Sequence, residues 1–233
     1  MKRLVLALFA TCLAFGALAD TDTAAPENFA SVTQDLPVWM PEGETQIRFE
    51  VLRKGKPFGQ HYVDFKPDGN GGFTATNDID LIAKIGPITA YRYRHDSVET
   101  WKDGRLVGLE GSTRKEGKDL EARARLEGDM LSVEGTNYTG TYAPDLIPAN
   151  HWNISQLTSK GMLSTEGGQL IANEVENLGR DTVTIAGQQI EATKFKLKSD
   201  LTIFLWYDDQ GRWVKLDFEA RGQKIEYLLE ALY

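Results

Sequence analysis

The chain has 233 residues, with 34 Asp and Glu against 26 Lys and Arg and a formal net charge of −8. An acidic chain without a basic stripe interleaved with aromatics repels phosphate backbones, which excludes nucleic acid as a partner, and anionic membrane surfaces repel the same net charge. Its single cysteine, Cys12, falls in the leader described next, so cleavage leaves no disulfide, thiolate nucleophile or cysteine metal ligand.

Residues 1–19 read as an export signal. Lys2 and Arg3 open it, an apolar run covers 4–15, and Ala17-Leu18-Ala19 forms the small-x-small site cut before Asp20. The run is shorter than the roughly 20 apolar residues a spanning helix needs, and none after Asp20 reaches that length. The expected product is periplasmic, with no transmembrane helix after signal cleavage. Loss of Lys2 and Arg3 takes its formal charge from −8 to −10. Residues 20–44, rich in Thr, Ala and acid and interrupted by Pro26, Pro37 and Pro41, are expected to form a flexible N-terminal tether. Its second half either docks Trp39 on the body or stays solvated. Residues 45–233 form a single antiparallel β domain.

Past residue 44, alternation broken by turn dipeptides predicts antiparallel hairpins. Strands are expected at 47–53, 60–66, 73–85, 88–101, 105–114, 119–127 and 130–135. In the C-terminal third they fall at 182–185, 189–198, 201–207, 212–220 and 223–229. Asp103-Gly104 is a type I′ signal. Pairing across Glu116-Gly117 sets Val107 against Leu126, Leu109 against Ala124 and Thr113 against Leu120, with Glu110 facing Arg123 and Arg114 facing Asp119. Around Gly128-Asp129, Leu126 opposes Leu131 and Ala124 opposes Val133. One face is apolar and the other charge-complementary, and a slip of one residue would exchange them.

Strand 88–101 fits less simply. Its hairpin with 105–114 puts Val98 and Thr100 on the apolar side, whereas strand 73–85 wants Tyr91 and Tyr93 there, beside Ile79 and Leu81. A β-bulge near residues 95–97 would satisfy both. Between 136 and 179 the hairpin rhythm lapses. Asn150 is the expected N-cap of a short helix over 151–160 that carries Trp152, Ile154 and Leu157.

The chemistry-bearing residues are few. His61, His95 and His151 lack metal-motif spacing, so no metal and no cofactor is expected. There is no Gly-x-Ser-x-Gly elbow and no Gly-rich phosphate loop, and Asp208-Asp209 reads as a turn pair. Asp78, Asp80, Arg92 and Arg94 form a charged cluster, read as structural cross-strand pairing. On 201–207 and 212–220 apolar side chains occupy both faces, with Phe204 and Trp206 on one side of the first strand and Trp213 opposite Val214, Leu216 and Phe218 on the second. Either ordinary packing covers the second face, or a curved sheet encloses a ligand cavity there. Tyr91, Tyr93, His95, Trp152, Phe204, Trp206 and Trp213 are the candidate ligand-binding residues; no catalytic residue is identified. The closing alternation from Ile225 to Tyr233 also has the look of an outer-membrane barrel strand, but the charged faces of strand 88–101 do not suit lipid.

Phe49-Glu50-Val51-Leu52-Arg53, Tyr91-Arg92-Tyr93-Arg94-His95, Leu205-Trp206-Tyr207-Asp208 and Gly211-Arg212-Trp213 resemble a proteobacterial exported domain-of-unknown-function family, number 6134, over about residues 46–230. More distantly the chain is similar to other uncharacterised envelope β-proteins of the lipoprotein-carrier type. The resemblance implies an exported, all-β, Gram-negative protein and carries over no catalytic residues.

The expected fold is therefore all-β: a strongly curved antiparallel sheet or incomplete β-barrel of about a dozen hairpin-linked strands with one short helix. The expected function is non-catalytic binding of an apolar or lipid-like ligand, or of an envelope protein. The alternatives are a protein-interaction module with a filled core, a small outer-membrane β-barrel, or a hydrolase with dispersed residues.

Overall fold

The computed structural model describes residues 37–159 and 161–233. The expected signal peptide, residues 1–19, and residues 20–36 of the expected tether lie outside the described residues. Thirteen strands form one antiparallel sheet: β1 (Thr45–Arg53), β2 (Lys56–Pro67), β3 (Gly72–Ile85), β4 (Ile88–Lys102), β5 (Arg105–Lys115), β6 (Lys118–Glu127), β7 (Met130–Gly135), β8 (Thr139–Tyr142), β12 (Glu174–Ile185), β13 (Gln188–Lys198), β14 (Thr202–Asp208), β15 (Trp213–Ala220) and β16 (Gln223–Leu229). The spatial order is β12-β13-β14-β15-β16-β1-β2-β3-β4-β5-β6-β7-β8, so the last strand pairs with the first and the sheet stays open between β12 and β8. The insertion before β12 holds three short strands, β9 (Ile147–Pro148), β10 (Met162–Leu163) and β11 (Leu170–Ile171), which form a second small sheet.

Five hairpins share one local device. Lys54-Gly55, Asp103-Gly104, Glu116-Gly117, Ala186-Gly187 and Arg221-Gly222 all have positive φ at both positions, 48° to 53° at the first residue and 69° to 82° at the glycine. That is the type I′ turn, whose twist matches that of the strands it joins. It also fixes register: Leu109 faces Ala124, Thr113 faces Leu120, Glu110 faces Arg123 and Arg114 faces Asp119, as expected. The ladder ends at Gly108–Arg125, one residue short of Val107. Leu126 faces Leu131 and Ala124 faces Val133.

The expected bulge at 95–97 is absent. Tyr91, Tyr93, His95, Ser97, Glu99 and Trp101 all point inward in unbroken alternation, and Val98 is 39% exposed. The irregularity lies in β5 instead, where Trp101 pairs with Leu106 but Thr100 with Gly108, leaving Val107 as the extra residue. Polarity misdirects the reading here, because a carboxylate is buried and a valine is not.

The expected helix over 151–160 is a single 3-10 turn, Ile154–Leu157, and its cap is Asn153, whose side chain accepts from the Ser155 N–H at 2.9 Å. No α-helix occurs among the described residues. A third difference is at β14–β15. Trp206 pairs with Lys215 but Tyr207 with Trp213, so a bulge at Val214 turns Trp213 to the inner face beside Leu216.

The insertion lies inside the curve of the sheet. Trp152 is 1% exposed and meets Phe65, Phe73, Trp101 and Trp39 edge-on at centroid distances of 5.2–6.4 Å. Gly111 on β5 makes this approach possible, since a Cβ there would stand 2.2 Å from the Thr165 carbonyl oxygen. Trp39 also packs on Tyr233, at 5.0 Å, so the segment entering β1 and the C-terminus help seal this end.

Candidate functional site

Above the insertion, the curve of the sheet leaves a cavity of about 720 Å³. Alternation supplies its walls: Phe58, Leu81 and Ala83 from β2 and β3, Leu216 and Phe218 from β15, Ile225 and Tyr227 from β16. Strand directions define its two ends. The insertion and the Trp39–Trp152 cluster close one end. At the other, the turns between β1 and β2, β3 and β4, β5 and β6, β13 and β14, and β15 and β16 surround the mouth, where Arg53, Lys115, Leu201 and Arg221 line the opening.

All three histidines line this cavity. His61 on β2 and His95 on β4 flank Ile79 in one cross-strand row. His151 reaches them from the insertion with its backbone held at φ +64°. The His95 Nδ1 lies 2.8 Å from the Thr113 hydroxyl on neighbouring β5 and its Nε2 3.2 Å from that of Thr165, so the ring joins two strands of the sheet to the insertion. The His151 Nδ1 is 2.9 Å from the Gln156 Oε1. Tyr207 ties the same loop down: its hydroxyl donates to the His151 carbonyl at 2.7 Å and accepts from the Gln156 amide at 2.8 Å.

His61 is different. It is 3% exposed, packed against Phe49, Trp213 and Tyr227, and neither ring nitrogen has a hydrogen-bond partner. Asn77 is its polar neighbour, but no bond of good geometry joins them, and the side-chain nitrogen and oxygen of Asn77 and the Ser97 hydroxyl are likewise unpartnered. Burial holds His61 down at about 3 and His151 at about 4, and it lowers His95 as well. The floor of the cavity is thus a set of neutral imidazoles at ordinary pH.

At the mouth, Tyr93 donates to Glu166 at 2.8 Å and Lys115 pairs with the same carboxylate at 3.6 Å. Burial, followed by the Glu166 charge, pushes the Tyr93 hydroxyl well above its usual range. Arg221 reaches from the β15–β16 turn to Glu116 on the β5–β6 turn at 2.8 Å, a link across the opening. The Arg53 side chain is held by the Gln223 amide oxygen and the Phe58 ring.

Of the seven candidate ligand-binding residues, Tyr91, Tyr93 and His95 line the cavity. Trp152 lies in the packed cluster that closes the lower end. Trp213 faces the interior but sits behind His61 and His151, at ring distances of 5.4 and 5.8 Å. Phe204 and Trp206 are on the outer face. Trp206 is buried there between Lys194 and Lys215, at 4.8 and 4.5 Å from its ring, and donates to Asp181 at 2.8 Å. The enclosure expected around Trp206 together with Trp213 does not form, because the bulge at Val214 sends the two rings to opposite faces.

The charged cluster also lies on the outer face. Arg92 pairs with Asp80 at 3.1 Å, but Arg94 pairs with Asp96 at 3.2 Å, and all four side chains are at least 36% exposed. Asp78 faces Asp96 across the ladder; burial, then that neighbour, raises its pKa.

His61 and His151, which the sequence offers only as histidines without metal-motif spacing, join His95 in the cavity. Alternation does place His61 inward with Phe65 and Val63; nothing local signals that His151 lies above it. Glu99 was missed entirely. It is fully buried and accepts from Trp101 Nε1 at 2.7 Å, Trp152 Nε1 at 3.0 Å and the Asn150 amide. Burial pushes its carboxyl up to about 7 against those three donors.

The family model described as a domain of unknown function, DUF6134, matches residues 49–230. Among solved structures, the chain is similar to a crystal structure of a beta-barrel-like protein of domain of unknown function DUF1849 from Brucella abortus, with a TM-score of 0.57 and 11% identity. That likeness covers 80% of this chain and 95% of the other and shows the fold alone. No curated protein matches the chain.

Proposed function

The chain belongs to the DUF6134 family, and from that premise, which brings a fold and no chemistry, we propose that it is a periplasmic, non-catalytic binder of an apolar or lipid-like small molecule. One observation carries this reading: an open-mouthed cavity of about 720 Å³ whose walls are Phe, Leu, Ile, Ala and Tyr side chains. Small-molecule sites are concave and mostly apolar, with a few polar groups that fix orientation. The imidazoles on the floor and the cations at the mouth are such groups.

The same floor would be the place to look for hydrolysis, but its geometry favours binding. A general base needs a free nitrogen and an orienting partner. His95 has both nitrogens engaged by threonine hydroxyls, the partner that orients His151 is the neutral amide of Gln156, and among the described residues no carboxylate bonds an imidazole. The exposed charges at Arg92, Arg94 and Asp96 are equally unsuited to a lipid-facing band.

The test is native mass spectrometry of protein purified from its own periplasm, followed by organic extraction, with cis-parinarate titration of the stripped protein. A co-purifying apolar species, or saturable probe fluorescence, is expected. Bare protein that also fails to take up the probe would overturn the reading in favour of a protein-interaction role.

A further inference from the structure

We infer that the mouth end of the barrel docks on an anionic bilayer surface. Charge is segregated along the barrel axis. The five turns around the mouth, 53–56, 84–88, 114–119, 198–201 and 219–224, carry ten Lys and Arg against four Asp and Glu. The turns and chain ends at the closed end, 42–44, 66–72, 102–105, 127–130, 185–188, 208–212 and 230–233, carry four against nine.

Much of the acidic charge near the mouth is already matched. Glu116 pairs with Arg221, Asp119 with Arg114 and Glu166 with Lys115. Arg53, Lys54, Lys56, Lys84 and Lys118 have no carboxylate within salt-bridge distance among the described residues. They sit on three successive hairpins, β1–β2, β3–β4 and β5–β6, and so form one arc of the rim.

Two apolar side chains stand out of the same rim. Ile88, beside Lys84 on the β3–β4 turn, is 68% exposed, and Leu201 on the β13–β14 turn is 45% exposed. Lysines around protruding aliphatic groups are the combination that binds a lipid interface, where the cations meet headgroups and the aliphatic tips enter the acyl boundary. An acidic protein would use the charges but has no need of an apolar tip at the opening of an apolar cavity.

The overall negative charge does not oppose this. Strands of about ten residues hold the acidic end roughly 30 Å away, while charges are screened over about 10 Å at ordinary ionic strength. The surface near the bilayer is what the bilayer senses.

The test is cosedimentation of the leader-free protein with vesicles of phosphatidylcholine alone or mixed with phosphatidylglycerol. Binding is expected only to the mixed vesicles, falling as salt rises. The double variant Lys56→Glu/Lys84→Glu should bind at least about twentyfold more weakly, and Ile88→Ser should weaken binding without changing its salt dependence. Glu127→Lys/Asp129→Lys, at the closed end, should leave it unaltered. Equal sedimentation with both vesicles, none with either, or the same loss from the closed-end variant would overturn the inference. The inference does not rest on what the cavity holds. Cis-parinarate uptake without vesicles should be the same in Lys56→Glu/Lys84→Glu as in the parent, so failure to dock and failure to bind a ligand are read separately.

Discussion

The carboxylate of Glu99 accepts a hydrogen bond of 3.0 Å from the indole N–H of Trp152, 53 residues further along the chain. With Trp101 and Asn150 as further donors, this one side chain pins the insertion to the inner face of β4. The floor of the cavity rests on that attachment.

Glu99 should make stability depend on pH in an unusual direction. Its carboxyl is raised by burial from 4.5 to about 7. Between those values the folded protein holds a proton that the unfolded chain has released. Its contribution to stability therefore falls as pH rises from about 4.5 to about 7, by about 3 kcal/mol at most. Glu99→Gln should flatten that limb of the profile in urea midpoints followed by tryptophan fluorescence. An unchanged profile would remove Glu99 as its source.

The histidines act oppositely. His61 and His151 are lowered by burial from 6.5 to about 3 and about 4. The unfolded chain binds protons first, so stability present above pH about 6.5 is lost as pH falls towards those values. His61→Phe removes an unpartnered imidazole from among Phe49, Trp213 and Tyr227, and should stabilise the protein at neutral pH by about 1–2 kcal/mol. It should also shrink the loss in acid. Thermal melts near neutrality and in mild acid check both, and a less stable variant at both would mean the ring is satisfied after all.

Gly111→Ala should cost about 2–3 kcal/mol, because the new Cβ would collide with the Thr165 carbonyl oxygen and push the insertion off β5. Gly108→Ala, three residues away, is the control. Its nearest neighbours would be at 3.6 Å, ordinary contact, so its midpoint should hold or rise slightly. Equal losses at the two sites would refute the docking role of Gly111.

Ala83 and Trp206 separate cavity from packing. Ala83→Trp places a large ring in the upper wall and should weaken cis-parinarate binding at least about tenfold, with a stability change of about 1 kcal/mol. Trp206→Ala empties a slot on the outer face between Lys194 and Lys215. It should cost about 3 kcal/mol and leave probe affinity unchanged. Loss of binding in Trp206→Ala under conditions where it stays folded would contradict the assignment of that ring to the exterior.

Much of the architecture was legible from the chain. Lys-Gly, Asp-Gly, Glu-Gly and Arg-Gly turn pairs mark hairpins because both residues of a type I′ turn need positive φ, and register then follows by counting. Tyr91, Tyr93 and His95 were found for the same reason, since strand alternation places them together without any distant partner. The bulges at Val107 and Val214 were misplaced or unseen. One extra residue exchanges the faces of all that follow, and no local composition marks where it falls.

Side chains settle the hairpins within about ten residues of one another, so sequence by itself determined an antiparallel, twisted sheet and most of its pairings. Only the closing of β16 on β1 and the folding of the insertion into the curve decided that His61, His95 and His151 share a floor, that Glu99 lies dry beneath them, and that the cationic turns ring one mouth. Those are long-range burials, fixed by which surfaces exclude water together, and burial is written in no single stretch of the chain.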